Sequence, residues 1–469
     1  MWLAAMKRLI LIFWFSFTLV PLSGFSEDLS HGKTFSLNGC IEVALRNRQE
    51  LDIASLDIVQ AEQQIKEAKS YYYPRLNVTG AYTKFSGDTI ISTDVDVSAL
   101  TKDIRQQLFN LTHVLLPLSI HENFDIAKQN WAAVFVDFDQ PIYSFGRIEE
   151  AVKQARIGRS FAVNQKEKKK AEIVLDVKKG YYQFLAAREM LGILKEAEAK
   201  AGVVSKMVKI AYETAVPEKE EKGTTRLDYL RARNFNSEVE AKLSEMNKNL
   251  ELAGLALRTA MGLSPGAPLE VDGTLVEELP GETRPLQELT ESTLAHNIDL
   301  KSMDLGVQFF DSRRKAARRE YLPKVGIHGE YIGPEDRYGN RNVLYGGIGF
   351  TVPLFDGFQT RARIGEADAQ FQKMKGQKSV LEKALSAQVD YLHTTLAELK
   401  ERVKILREAI RDADERLNLA SDGYAAGITE YQQLLLAEKA ELEVRSMYVQ
   451  ALFAHQLAKA EIEFVLGAE

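Results

Sequence analysis

The chain has 469 residues, a net charge of −6, one cysteine, and only 12 prolines and 30 glycines against 27% charged residues. Neutralising phosphates takes a basic surface, so the charge balance argues against a nucleic-acid binder, and one cysteine excludes a disulfide scaffold or a Cys-rich metal centre. Seven scattered histidines in no ligand spacing give no metal or cofactor signal.

Residues 1–26 form a separate object. Lys7 and Arg8 precede the apolar run Leu9 to Val20, Pro21 ends it, and Gly24-Phe25-Ser26 places small residues before a cut at Glu27. This is the layout of a secretory signal peptide. No later stretch reaches the roughly 18–20 apolar residues of a membrane helix. Gly32-Lys33-Thr34 lacks the first glycine of a phosphate loop, which is Glu27 here. Leu37-Asn38-Gly39-Cys40 stands too far from the apolar run to be a lipobox, so Cys40 reads as a buried thiol near a helix start.

From Leu37 onward the chain is a duplicate. A shift of 249 lays Leu37, Glu42, Leu45, Leu51 and Leu56 on Leu286, Glu291, Leu294, Leu300 and Leu305, and then Tyr72, Pro74, Gly80 and Tyr82 on Tyr321, Pro323, Gly329 and Tyr331. A second shift, 212, lays Phe138, Pro141, Val177, Leu194 and Tyr212 on Phe350, Pro353, Val389, Leu406 and Tyr424. The difference assigns about 37 extra residues to copy 1, within 86–128, which are expected to form a long extracellular excursion between the first two strands. Repeat 1 takes 27–283, with a Pro- and Gly-rich linker at 263–283, and repeat 2 takes 284–469.

Each copy predicts helix, strand, strand, long helix, short turn, helix. Alternation predicts strands near 75–85, 130–140, 324–332 and 343–352, with Pro74, Pro141, Pro323 and Pro353 at the strand–helix junctions. From Leu385 to Tyr424 apolar residues step by three and four without a slip, a heptad seam. The last helix carries a small-residue seam, Ala437, Ala440, Val444, Met447, Ala451, Ala454 and Ala458. The basic runs Lys166–Lys170 and Arg313–Arg319 read as solvated faces.

At 1.5 Å per residue the segment after Pro353 reaches about 110 Å, and the shorter helices, such as 286–322, about 55 Å each. Two short helices therefore match one long one. All four strands fall at one end, both tight turns at the other, and the linker falls at mid-height. Four amphipathic strands with free edges would aggregate in water, and four cannot close the smallest membrane barrel of eight, so several chains must contribute. Three would supply twelve strands.

The duplicated unit Leu45–Tyr82 and Leu294–Tyr331, with Pro353-Leu354-Phe355-Asp356-Gly357, resembles the TolC family of outer-membrane efflux proteins over residues 36–466. The resemblance implies a mainly α protein with a membrane β part. Long antiparallel coiled-coil helices form an α-helical barrel, continued by a trimeric twelve-stranded outer-membrane β-barrel. It implies a homotrimer in outer-membrane lipid, extending into the periplasm. The duct is passive and is joined by a periplasmic adaptor (membrane fusion) protein to an inner-membrane pump of RND or ABC type. Its role is efflux or type I secretion, with no catalytic residue, cofactor or metal. The family's tip motif matches Tyr424, Gly427 and Thr429 in copy 2 and Tyr212 and Gly223 in copy 1, where Ala215–Lys222 is inserted. Family aspartates that ring the gate correspond to Gln433 and Leu436, so closure is expected from packing and hydrogen bonds around Tyr424 and Leu436, with Asp228 and Glu430 as acidic alternatives. Drug, metal and protein cargo all stay open. The rival class is a periplasmic or surface coiled-coil scaffold, which leaves the strands unexplained.

Overall fold

The computed structural model describes residues 34–84, 90–96, 119–125, 130–214, 225–275, 284–333 and 342–467. The signal peptide, Gly223, the Ala215–Lys222 insertion and most of the second hairpin's turn lie outside the described residues. In chain order the helices are α1 (Leu37–Asn47), α2 (Gln49–Ser70), α3 (Arg147–Thr214), α4 (Arg226–Ala260), α5 (Leu286–His296), α6 (Ile298–Arg318), α7 (Gln359–Ala425) and α8 (Tyr431–Leu466). The strands are β1 (Thr34–Phe35), β2 (Arg75–Lys84), β3 (Ile90–Asp96), β4 (Ser119–Asp125), β5 (Asn130–Tyr143), β6 (Glu270–Val271), β7 (Lys324–Gly333) and β8 (Val343–Thr351).

Helices α3 and α7, of 68 and 67 residues, are each about 100 Å long. The other six stack into two columns: α4 continues into α1–α2, and α8 into α5–α6. α3 packs against α1, α2 and α4 on one side and against α6 and α8 on the other, while α7 closes the far side of α5, α6 and α8. The result is a layer one helix thick and four columns wide. β2, β5, β7 and β8 pair antiparallel in that order, which is the order of the columns that feed them.

The mid-height joint in each stacked column shows why the single helix expected over 286–322 is two. Asn297 has ψ 131°, its side-chain oxygen accepts from the Asp299 and Leu300 amides, and its Nδ2 donates to the Val465 carbonyl at 2.8 Å. Val465 lies at the end of α8, so the break joins the two stacked helices by satisfying one of the free carbonyls there. Copy 1 repeats the device. Arg48 breaks α1 from α2 and donates from Nη1 to the Ala260 carbonyl at the end of α4. Gly262 and Gly467, both at positive φ, fold the chain tightly over Asn47 and His296, where a Cβ would lie 3.1 Å and 2.7 Å from the nearest atom.

The linker is anchored rather than loose. β6 pairs in parallel with β1, and mid-α3 holds it through Tyr181, whose hydroxyl donates to the Asp272 carbonyl at 2.6 Å, and Arg188, which donates to Val271 and Gly273 carbonyls. Cys40 lies fully buried in this equatorial core, where burial pushes its thiol up to about 11.

The heptad seam of α7 is buried at Leu385, Val389, Leu392, Leu396, Leu399 and Val403. The small-residue seam of α8 holds only in part. Ala437, Ala451 and Ala458 are buried, but Met447 is exposed, and α8, held between α3 and α7, also buries Glu438, Glu441, Leu442, His455 and Gln456. The basic runs are exposed at Lys170, Arg313, Lys315 and Arg318, as a solvated face requires, but they also reach neighbouring columns. Lys168 on α3 pairs with Asp299 on α6, Arg318 with Asp368 on α7, and Arg319 with Glu150 on α3, so these cations join columns.

Register puts the apolar strand residues on one face. Val78 lies opposite Val136 and then Tyr331 and Leu344, while Leu76 lies opposite Phe138, and Ile327 opposite Ile348. Leu76, Val78, Tyr82, Leu344, Ile348 and Phe350 are between 66% and 79% exposed. The other face carries Asp137, Asp139, His328, Glu330 and Tyr345, with the Asp139 carboxylate accepting from His328 Nδ1 at 2.8 Å and the Tyr345 hydroxyl donating to Glu330. Pro141 sits inside β5 at a bulge, where the register with β7 shifts. Pro74, Pro323 and Pro353 lie just outside their strands.

Residues 86–128 were expected to be a long excursion beyond the sheet, and β3 and β4 within them form a separate antiparallel hairpin. It follows the Lys84–Asn130 pair at the sheet end farthest from the helices. A tag inserted after Asp96 is therefore expected to be labelled on intact cells. Labelling only after permeabilisation would reverse the orientation of the whole molecule.

Candidate functional site

At the end farthest from the sheet, α3 and α7 turn into α4 and α8. The α7–α8 turn is closed by backbone bonds: Ile428 N donates to Gly423 O at 2.8 Å and Gly427 N to Tyr424 O at 3.0 Å, the paired pattern of a helix C-terminus that needs a left-handed residue next. Gly427 provides it at φ 71°. Thr429 folds back over the turn, its Oγ1 donating to the Ala420 carbonyl at 3.2 Å. A Cβ on Gly423 would lie 2.8 Å from the Thr429 side chain, so this second glycine is needed by the turn although the motif did not single it out.

Beneath the turns lies a small core. Tyr431 is 3% exposed and packs with Leu434, Val208 and Ala232, and burial, reinforced by Glu438, Tyr424 and Asp228, raises its pKa. Tyr424 meets Tyr431 edge-on at 5.9 Å, and Tyr212 stacks on Tyr229 at 5.8 Å with the rings 3° from parallel. The tip is therefore held by two tyrosine pairs, of which only Tyr424 and Tyr212 were expected. Tyr431 lies seven residues after Tyr424, and extending the heptad across the turn points to it.

The acidic candidates differ. Asp228 belongs to a capping box: its Oδ2 accepts from the Thr225 amide at 3.1 Å and from the Thr225 hydroxyl at 2.7 Å, and Arg231 lies 3.4 Å from Oδ1. Arg231 also donates to Gln432 Oε1 at 3.3 Å, which links α4 to α8. Glu430 begins α8 with an exposed side chain that caps nothing. Gln433 and Leu436 are exposed and line a groove of about 770 Å³ with Glu430, Gln432 and α7 residues Asp412, Glu415, Arg416 and Leu419. No cluster of histidine, cysteine and carboxylate side chains suited to a metal ion occurs among the described residues.

Two turns above Tyr431, Glu438 is buried, with Lys200 of α3 and Glu441 of its own helix as the charged groups facing it. Burial pushes its carboxyl up to about 7. A folded-state pKa above the unfolded value means the native protein holds the proton longer. The stability this confers is complete below about pH 4.5 and is lost as pH rises to about 7, on the order of 3 kcal/mol. Glu438→Gln is expected to match the wild type in denaturant titrations at pH 4.5 and to exceed it at pH 8. The same difference at both pH values would mean that folding does not raise the Glu438 pKa.

The profile of the outer membrane efflux protein family matches residues 40–263 and 289–468, nearly the whole described chain and once per repeat. The chain belongs to the outer membrane efflux protein family. Among curated relatives, the cobalt-zinc-cadmium resistance protein CzcC of Cupriavidus metallidurans is 26% identical over 253 residues, which cover 51% of this chain and 56% of CzcC. The match thus spans little more than half of that relative. Two solved structures share the fold of this outer membrane efflux protein. The outer membrane protein VceC of Vibrio cholerae has a TM-score of 0.70 at 16% identity, over 92% of this chain and 96% of VceC. The Campylobacter jejuni CmeC outer membrane channel has a TM-score of 0.72 at 14% identity, over 92% and 85%.

Proposed function

We propose that the protein is the outer-membrane exit duct of a tripartite efflux or type I secretion system. Three copies close their sheets edge to edge into one twelve-stranded barrel, and their helical layers into the tunnel below it. The observation that carries this reading is the sheet itself. Among the described residues no strand pairs with the outer edge of β2 or of β8, one face is apolar and exposed, and the strand order is that of the helix columns. A coiled-coil scaffold in water would leave that face bare. The polar face, with Asp137, Asp139, His328 and Glu330, then lines the lumen.

The same reading takes 1–26 as a signal peptide, divides the mature chain at 283/284, and seats a periplasmic adaptor and an inner-membrane RND or ABC pump at the tip. The pump supplies the energy; the duct has none of its own. The tip is the gate, shut by the packing of Tyr424, Tyr431 and their neighbours. The name of CzcC supports cobalt, zinc and cadmium as the first cargo to test. Full-length protein purified from membranes should have a three-chain mass by light scattering in detergent and a discrete conductance in planar bilayers. A monomer without discrete channels would sink the proposal. Deletion of the gene should sensitise cells to the three metals, and unchanged metal tolerance would remove them as cargo without touching the duct.

A further inference from the structure

The joint between sheet and helices occurs twice in the chain, and the internal one shows its two sides in contact. There β5 descends into α3 beside β7, which rises from α6. The two residues before α3, Phe145 and Gly146, both have positive φ, 50° and 82°. A Cβ on Gly146 would lie 2.5 Å from Arg319 of the neighbouring column. Arg319 donates from Nη1 to the Gly146 carbonyl at 2.6 Å and pairs with Glu150 at 3.0 Å. This joint is a polar clamp, and the second residue of its turn faces sideways, at the next column.

The shift of 212 carries this turn to Gly357 and Phe358, which repeat it at φ 65° and 67° between β8 and α7, on the open edge of the chain. The residues are exchanged. Phenylalanine now occupies the sideways-facing position that is glycine in copy 1. A left-handed backbone is one that side chains of L-residues rarely adopt, so a bulky ring at this point calls for a contact that uses it. The chain provides little: Phe358 meets Phe355 edge-on at 5.5 Å and is 64% exposed. The shift of 249 carries Arg319 to Ser70, which ends α2 on the opposite edge and is followed by the exposed Tyr71, Tyr72 and Tyr73. Where the internal joint has glycine against arginine, the two open edges have phenylalanine against serine. The large and small partners have changed sides.

We propose that Phe358 of one protomer inserts beside Ser70 and the tyrosines after it in the next copy of this chain, an apolar clasp at the seam where the internal joint has its polar clamp. The clasp rests on the trimeric reading above. A second copy is the occupant rather than lipid, because the equivalent position in copy 1 aims at a neighbouring column and not away from the sheet.

The test is disulfide cross-linking of the full-length protein in detergent, with the native thiol removed by Cys40→Ser. Phe358→Cys with Ser70→Cys places the two thiols on opposite edges of one chain, so only a neighbouring copy can join them. The internal pair Asp139–His328 maps to Thr351 and Thr79, and Thr351→Cys with Thr79→Cys is the control for the seam itself. Oxidation is expected to convert both double variants to covalent trimers. Control trimers without Phe358–Ser70 trimers would overturn the clasp and leave the assembly standing; a wild type that is monomeric by light scattering would overturn both. Separately, Phe358→Gly should lower the temperature at which the trimer dissociates in SDS. Adding Ser70→Arg and Ala362→Glu, which transplants the internal clamp, should recover most of the loss. A Phe358→Gly trimer as heat-resistant as the wild type would count equally against the clasp.

Discussion

Replacing Arg445 with methionine should cost about 3 kcal/mol or more of stability, one of the largest effects expected of any single substitution outside the core. Arg445 projects from α8 between two neighbouring columns. Its guanidinium lies 3.0 Å from Asp414 on α7, 3.3 Å from Glu196 on α3 and 2.8 Å from Glu441 on its own helix. Glu441 is the partner that decides the outcome, because its side chain is only 6% exposed. Without Arg445 it keeps only Lys200, 3.5 Å away, and a buried charge that loses its main partner costs far more than a surface pair is worth. Helical signal followed in urea should show the loss for Arg445→Met. The double change Arg445→Met, Glu441→Leu should recover most of it, since removing both charges leaves nothing unpaired. If the double variant is as weak as the single one, Arg445 acts through packing of its aliphatic stem and not through the ion pairs.

That network also marks where the sequence stops being legible. Glu438, Glu441 and Arg445 look like a solvated stripe beside the alanine seam, because periodicity shows which residues are apolar and not how many neighbours a helix has. α8 is held on two sides, and its second buried face is built from charges whose partners are on α3 and α7. The helix breaks were hidden for a similar reason. Arg48 and Asn297 sit in amphipathic runs that read as continuous, and what stops each helix is a carbonyl more than 150 residues away, at Ala260 or Val465. By contrast the strands, the α7 seam and the order of the duplicated elements were readable, since each depends on a local period of two, three and four, or on identity between copies. The tip was half readable. Gly427 and Tyr424 carry a motif, whereas Gly423 matters only because Thr429 folds onto it.

The gate should open when its aromatic pair is broken and should respond little to trivalent cations. Any inward side chain at the tip of a threefold assembly becomes a ring of three, and a ring of carboxylates would hold multivalent cations tightly. The geometry leaves little for such a ring. Asp228 is committed to the Thr225 amide and hydroxyl, and its side chain is 17% exposed. Gln433 and Leu436 carry no charge, and of the exposed carboxylates at the turn, Glu430 and Asp422, only Glu430 lies on the α8 side with Gln433 and Leu436. What holds the α7–α8 turn to its neighbours is Tyr431, buried among Val208, Ala232 and Leu434, with Tyr424 edge-on against it. Removing a buried aromatic ring costs about 3–5 kcal/mol, enough to move a closed tip to a largely open one. Tyr431→Ala is therefore expected to raise mean conductance in planar bilayers several-fold. Tyr424→Ala should do so to a smaller extent, and Tyr424→Phe, which keeps the ring edge, should stay near the wild type. Hexamminecobalt added on the periplasmic side should block weakly, and Glu430→Gln should leave that weak block unchanged. Tight block that disappears in Glu430→Gln would instead make the gate an electrostatic one, with Glu430 as its ring.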